Sequence, residues 1–244
     1  MPEELGTILD NLKNLEEKNF GDLKIYSGEW KNSGSNKIFI TCAWSGWGKV
    51  SAARATTRIS SCIYQKKIDC LLFTGVAGGA QKGIKGWDVV IADSIIQYDM
   101  DARPLFEKFE IPALKNKILT PSGYWLNLLF DSIEDYKKNQ SLTSFGELHK
   151  GLIGTGDQFV SDKSFLKELT DQIPDLLAVE MEGAAFAQVA CQEKINWIIL
   201  RVISDSADES ADIDFNKFIE KYKSCSWDLI DLFLKKISKF HLNN

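Results

Sequence analysis

Apolar positions in this chain follow two periods, one near two residues and one near 3.6, and the switch between them marks out strands and helices. Continuous β-branched and apolar runs at 68–74, 87–98, 151–155 and in the first half of 197–208 predict buried strands. Residues 23–30 and 37–44 predict two further strands joined by the polar turn Asn32-Ser33-Gly34-Ser35-Asn36, hence an antiparallel hairpin. Helical stripes follow the other period. Trp125, Leu128, Leu129 and Ile133 mark a helix over 122–138, and Phe218, Tyr222, Trp227, Ile230, Leu234 and Ile237 mark one over 215–240. A third begins after Loop 45–50 and runs to about Tyr64. At the start, Leu5, Ile8, Leu9, Leu12 and Leu15 share a helical stripe, with Pro2 and the acids Glu3 and Glu4 in its first turn, so a helix is expected there too. Strands and helices alternate from residue 37 onward. The expectation is a single α/β domain over 1–244, a three-layer α/β/α sandwich around a central mixed twisted sheet.

Two of the strands end in charge. The run from Trp197 breaks into Arg201, Ser204, Asp205 and Asp208, and a short apolar run from Leu177 passes through Glu180, Met181 and Glu182 into an Ala-rich helix. Ligands of open α/β sheets gather at such strand exits, so these carboxylates are candidates for chemistry. Taken alone, a polar turn after a strand reads equally well as plain loop. The Gly-rich Thr74-Gly75-Val76-Ala77-Gly78-Gly79 predicts a tight turn or a close backbone approach to a ligand.

Composition narrows the field. The 244 residues are enough for a sizeable core, and a net charge of −5 without a basic block argues against nucleic acid as a partner. Five cysteines are scattered and never form a CxxC pair, and the two histidines, His149 and His241, lack ligand spacing, which argues against zinc or a His-based triad. The cysteines read as buried thiols of a reducing compartment. With no apolar run long enough to span a bilayer and no signal peptide visible, the expected location is the cytoplasm, with no membrane partner. The fragment Gly46-Trp47-Gly48-Lys49 lacks the spacing of a phosphate loop. Asp99 and Asp101 form an Asp-x-Asp pair that reads better as solvated charge than as a Mg²⁺ site.

Four motifs in order, the Gly-rich Thr74 to Gly79, Thr155-Gly156-Asp157-Gln158-Phe159-Val160, Glu180-Met181-Glu182-Gly183 and Arg201 through Asp208, resemble the nucleoside phosphorylase superfamily. Within it they are most similar to the 5′-methylthioadenosine/S-adenosylhomocysteine nucleosidases. The resemblance implies hydrolysis of an N-glycosidic bond with release of adenine, and it implies no cofactor and no metal. It makes Asp205 the acid that protonates the purine at N7 and Glu4 the base that activates water. It makes Glu182 the grip on the ribose hydroxyls, with Met181 packed on the sugar and Glu180 beside it, while Arg201 orients water or Glu182 and Ser204 fixes Asp205. Phe159 would stack on adenine and the backbone of Phe159 and Val160 would read its edge. Val76, Ala77, Gly78, Trp47 and Phe215 complete the implied substrate-binding set, Val76 standing where many relatives carry a small hydroxyl residue. The segment 99–112 is implied to meet a second subunit and help close its pocket, which makes a homodimer the expected state. The family places a short hydrophobic strand directly before the Met of its Met-x-Glu-Glu pattern. Since this chain starts at that Met, its sheet is expected to lack a strand.

Two rivals remain open at this stage. A phosphorylase would need a concentrated anion site with several Arg, whereas acids stand around Met1 to Glu4. A non-catalytic nucleoside-binding relative would have lost the acid or the base, and both types of residue are present.

Overall fold

The computed structural model describes residues 5, 8–32, 37–62, 67–138, 144–207 and 211–240. In chain order these form β1 (Leu12–Phe20), β2 (Leu23–Trp30), β3 (Phe39–Ala43), α1 (Lys49–Cys62), β4 (Leu71–Gly79), β5 (Val89–Gln97) and β6 (Ile118–Leu119). There follow α2 (Gly123–Lys138), β7 (Leu148–Thr155), α3 (Lys163–Gln172), β8 (Leu176–Glu180), α4 (Gly183–Gln192), β9 (Trp197–Asp205) and α5 (Ala211–Phe240).

The expected opening helix begins on residues that lie outside the described ones, and its continuation through Leu12 and Leu15 is corrected. A 3-10 turn at Leu9–Asn11 leads directly into β1, which pairs antiparallel with β2 from Leu12↔Trp30 to Phe20↔Leu23. Gly21 and Asp22 close this hairpin, with Gly21 at φ +64 where a side chain would be strained. Leu12 is buried, yet Leu15 is 47 % exposed, so the stripe that suggests a helix does not face one core. The ladder to β2 decides the conformation, as tertiary pairing often overrides a local pattern. The hairpin of β2 and β3 agrees with expectation, Ile25↔Ala43 through Glu29↔Phe39; its turn lies outside the described residues.

A six-stranded mixed sheet, ordered β6-β5-β7-β8-β4-β9, forms the centre of the molecule. Its twist is strong enough that β5 also pairs antiparallel with β9, closing a ring of five strands. Helices cover both faces. β9 shows why: Trp197, Ile199 and Ile203 pack toward Phe186, Ala187 and Ala190 of α4, while Ile198, Leu200 and Val202 pack toward α2 and α5 through Leu129, Ile133, Tyr222 and Phe233. Strict alternation on a strand buried on both sides is what a three-layer arrangement requires. Each such fully buried aliphatic side chain contributes roughly 1.5–3 kcal/mol.

The strand expected over 68–74 runs on into the Gly-rich stretch, which removes the tight-turn reading of that stretch: β4 continues through Gly75, Gly78 and Gly79, paired in parallel with β9 from Leu71↔Trp197 onward. Among the described residues no ladder joins β3 to β4, and both strands line one cavity. Cys42 and Cys70, on and beside those strands, are free thiols whose pKa burial pushes up to about 12, so they stay protonated and inert. No helix among the described residues is long and apolar enough to cross a membrane.

Candidate active site

Asp205 is the last residue of β9, and its placement depends on a local irregularity. Ala77 pairs with Ile203 but the next residue, Gly78, pairs with Asp205, so Ser204 is an extra residue in β9. A bulge of this kind re-aims the side chains that follow it. The Asp205 carboxyl then accepts the Ser204 hydroxyl at 2.6 Å on Oδ2 and the Ala207 N–H at 2.8 Å on Oδ1. Only 6 % of Asp205 is exposed. β4 passes so close that a Cβ on Gly78 would lie 3.0 Å from Asp205 Oδ1 and 2.9 Å from the Ala207 Cβ. That close approach, and not a turn, is what glycine provides here.

The second carboxylate pair divides its work. Glu180, at the end of β8, lies at the start of α4, whose first N–H groups have no partner within the helix. Its Oε2 accepts Gly183 N–H at 2.7 Å and Glu182 N–H at 3.1 Å, and it pairs with Arg201 Nη2; its Oε1 accepts the Thr155 hydroxyl. Thr155 Oγ1 accepts Ala184 N–H at 2.8 Å in turn. Negative charge at a helix N-terminus is favoured by the dipole, so this cluster fixes β7, β8, β9 and α4 to one another. The Glu180 carboxylate is thus engaged by protein donors, although sequence reasoning grouped it with the substrate-binding residues. Glu182 is turned the other way, its Oε1 accepting Gly48 N–H at 2.8 Å while its Oε2 lies 3.8 Å from Arg201 Nη2. Arg201 itself is 2 % exposed, with its guanidinium 4.5 Å over the Phe73 ring.

Aromatic groups complete the lining. Phe159 is partly exposed and meets Phe215 edge to face, ring centroids 6.1 Å apart. Trp47 is exposed at the rim. One cavity of about 1500 Å³ is lined by Trp47, Val76, Ala77, Gly78, Phe159, Val160, Glu180, Met181, Glu182, Arg201, Ser204, Asp205 and Phe215. Every residue selected from the sequence that falls among the described ones is therefore brought to one place. Glu4 and Asp208 lie outside the described residues. The cavity exceeds the few hundred Å³ that a small ligand needs, because it runs on between β3 and β4.

Sequence reasoning missed Phe73, and it missed the hydrogen bonds of Gly48 and Thr155, although both stand in stretches it singled out. Gly48 meets Glu182 across 134 positions, and no local signal announces such a contact. It also missed α3, although Asp162 caps that helix by accepting the N–H groups of Ser164 and Phe165, a signal readable in the sequence. Asp99 and Asp101 do not act together: Asp99 pairs with Lys49 at 2.7 Å, whereas Asp101 is held by Arg103, which pulls its pKa down to about 2. Among the described residues no three His, Cys, Asp or Glu side chains come together as a metal site.

Known proteins share this architecture. A family model described as the phosphorylase superfamily matches residues 1–235. The 5′-methylthioadenosine/S-adenosylhomocysteine nucleosidase of Bacillus subtilis (strain 168) is 31% identical over 242 residues, covering 99% of this chain and 96% of its own length. The nucleosidase of that name from Neisseria meningitidis, solved in complex with methylthio-immucillin-A, is 30% identical with a TM-score of 0.83, covering 98% of this chain and 96% of that one. An Asp-to-Asn mutant of the Helicobacter pylori nucleosidase, solved with 5′-methylthioadenosine in the active site, is 29% identical with a TM-score of 0.83, covering 97% and 95%.

Proposed function

The chain belongs to the phosphorylase superfamily and, within it, to the 5′-methylthioadenosine/S-adenosylhomocysteine nucleosidases, and from that membership we propose that it hydrolyses the N-glycosidic bond of these two thio-nucleosides and releases adenine. The observation that carries the reading is that a buried Asp205, Glu182 and the aromatic pair Phe159 and Phe215 line the same cavity.

Adenine leaves readily only when its ring nitrogen takes a proton as the bond breaks, and Asp205 supplies that proton to N7. Ser204 and the Ala207 N–H hold its carboxyl in one orientation. As the bond lengthens the ribose gains oxocarbenium character, which the neighbouring carboxylates stabilise, as in glycosidases. Glu182 grips the ribose hydroxyls, steadied by Gly48 and Arg201, and Met181 packs on the sugar. Phe159 stacks on the base, the backbone of Phe159 and Val160 reads its edge, and Val76, Ala77 and Gly78 bring β4 backbone to the ligand. Phe215 and Trp47 flank the 5′ substituent and the mouth. Glu4 takes the proton from the attacking water. No metal or cofactor enters the scheme.

Charge favours water over phosphate as the nucleophile. The ionisable side chains that β8, β9 and the start of α4 bring to the cavity are Glu180, Glu182, Asp205 and one Arg, already paired with Glu180. A phosphate dianion would meet repulsion there without the Arg cluster it needs.

The same reading makes the protein a homodimer in which 99–112 meets the partner and helps close its pocket. Leu105 at 84 % and Val50 at 81 % exposure support it, since apolar side chains so open to water mark contact surfaces. A cytoplasmic location follows from the family reading and is supported by the free thiols of Cys42, Cys70, Cys191 and Cys225.

Adenine release from methylthioadenosine and S-adenosylhomocysteine, followed by chromatography with and without phosphate, tests the reading. Asp205→Asn should lower kcat by about 10²- to 10⁴-fold while thermal melting still reports a folded protein. Phosphate dependence, or near-normal turnover in Asp205→Asn, would sink the assignment.

A further inference from the structure

Three stretches distant in sequence meet just outside the cavity in a closed cycle of hydrogen bonds. Lys49 N–H donates to Asp157 Oδ1 at 2.7 Å, Asp157 N–H donates to Asp99 Oδ2 at 3.0 Å, and Asp99 Oδ1 accepts Lys49 Nζ at 2.7 Å. Lys49 Nζ also reaches Gln97 Oε1 at 3.4 Å, and Gln97 donates to Gln188 Oε1 of α4 at 2.8 Å. The cycle is made of charge-assisted bonds, which are shorter and stronger than neutral ones.

What gives the cycle a bearing on the site is the residue next to it. Two consecutive N–H groups at the entry to α1 are shared out: Gly48 donates to Glu182 Oε1 at 2.8 Å, and Lys49 donates to Asp157. The loop before α1 reaches this posture with Gly46 at φ +88 and Gly48 at φ +84, a region that side chains resist. A Cβ on Gly48 would lie 2.9 Å from Asp157 Oδ1, so the carboxylate of Asp157 rests directly against the peptide that holds Glu182. Asp157 itself stands on the loop after β7, two positions before Phe159. It contributes no side chain to the cavity wall.

We propose that Asp157 is a positioning residue for Glu182: by fixing Lys49, and through it the Gly48 N–H, it sets the carboxylate that binds the ribose hydroxyls. The inference rests on the nucleosidase reading for what Glu182 grips, and on the structure alone for the tether. A loop free to rock would let Glu182 lose its backbone donor, and misplacement of a binding group by about 1 Å can cost as much as a hundredfold in rate. Lys49 and Asp99 complete the cycle and hold the exposed Asp157 loop in place through its backbone N–H.

The test compares the parent with Asp157→Ala, Asp157→Asn and Lys49→Met. Asp157→Ala should lower kcat/KM for methylthioadenosine by roughly ten- to a hundredfold, whereas inhibition by free adenine, which has no ribose, should stay within about twofold. Asp157→Asn keeps an oxygen acceptor for the Lys49 N–H and should recover most of the loss, and Lys49→Met should fall between the two. In a Glu182→Ala background, Asp157→Ala should change little further, since both act through one group. Hydrogen exchange at the Gly48 and Lys49 amides, measured without substrate, should quicken by about tenfold in Asp157→Ala. Unchanged exchange, equal losses with and without Glu182, or weaker adenine inhibition matching the loss in kcat/KM would overturn the inference. A parent that releases no adenine would instead defeat the nucleosidase reading, and the exchange measurement would still decide the tether.

Discussion

Arg201 joins three contacts that no short window of sequence contains: an ion pair with Glu180, an approach to Glu182 and a cation–π contact over Phe73. Because both members of the Arg201–Glu180 pair are almost fully enclosed, removing one leaves an uncompensated charge away from water. Arg201→Ala should therefore cost about 3–5 kcal/mol of stability, read as a lower urea midpoint, and a loss of under about 1 kcal/mol would show that Glu180 is satisfied without it. At this scale the sequence disclosed which side chains matter more than what each does. The acids and the Arg at the ends of two strands were legible because a β-branched run broke abruptly into charge. The commitment of Glu180 to Thr155, Gly183 and Arg201 was not, since a carboxylate's partners come from other elements.

Among the elements, β4 and β9 show how the acid is aimed. The register shift between Ala77 and Gly78 makes Ser204 the extra residue, and the close passage of β4 requires Gly78 to lack a side chain. Gly78→Ala should push Asp205 or Ala207 aside and reduce kcat/KM by roughly ten- to a hundredfold while the melting temperature falls only modestly. Unaltered kinetics would mean that the strand yields and the acid does not move. Of the two readings of the Gly-rich run, the tight turn fails, since glycine reports crowding by a neighbouring strand as readily as it reports a change of direction. From Leu12 onward the expected opening helix fails for another reason. Leu5, Ile8, Leu9 and Leu12 fit a helical stripe, but hydrogen bonding of β1 to β2 is a non-local gain that periodicity within fifteen residues does not register. By contrast β9, α2 and α5 were visible because their patterns are long and are enforced by burial on defined faces.

For the whole molecule, the α/β arrangement followed from the alternation of periods, whereas the closing of β5 onto β9 did not, because it depends on the accumulated twist of five strands. The proposed dimer belongs to this scale. Sedimentation should give a mass near twice the 27.5 kDa of one chain, and Leu105→Asp should shift the protein toward monomer with a parallel fall in activity. A fully active monomer would refute both the assembly and the part given to 99–112.

The ring of five strands also bears on solubility. Any strand with a free flank offers unpaired N–H and C=O groups to other chains and can seed aggregation. β9, buried at every one of its positions and the strand that carries the acid, is flanked by β4 on one side and β5 on the other. The outer strand of the large sheet, β6, is two residues long. At the rim of the small sheet, β1 turns Lys13, Glu16, Glu17 and Lys18 to solvent, charges that deter a second strand from docking. A sequence this rich in isoleucine is thereby kept from using its stickiest segment on a neighbour.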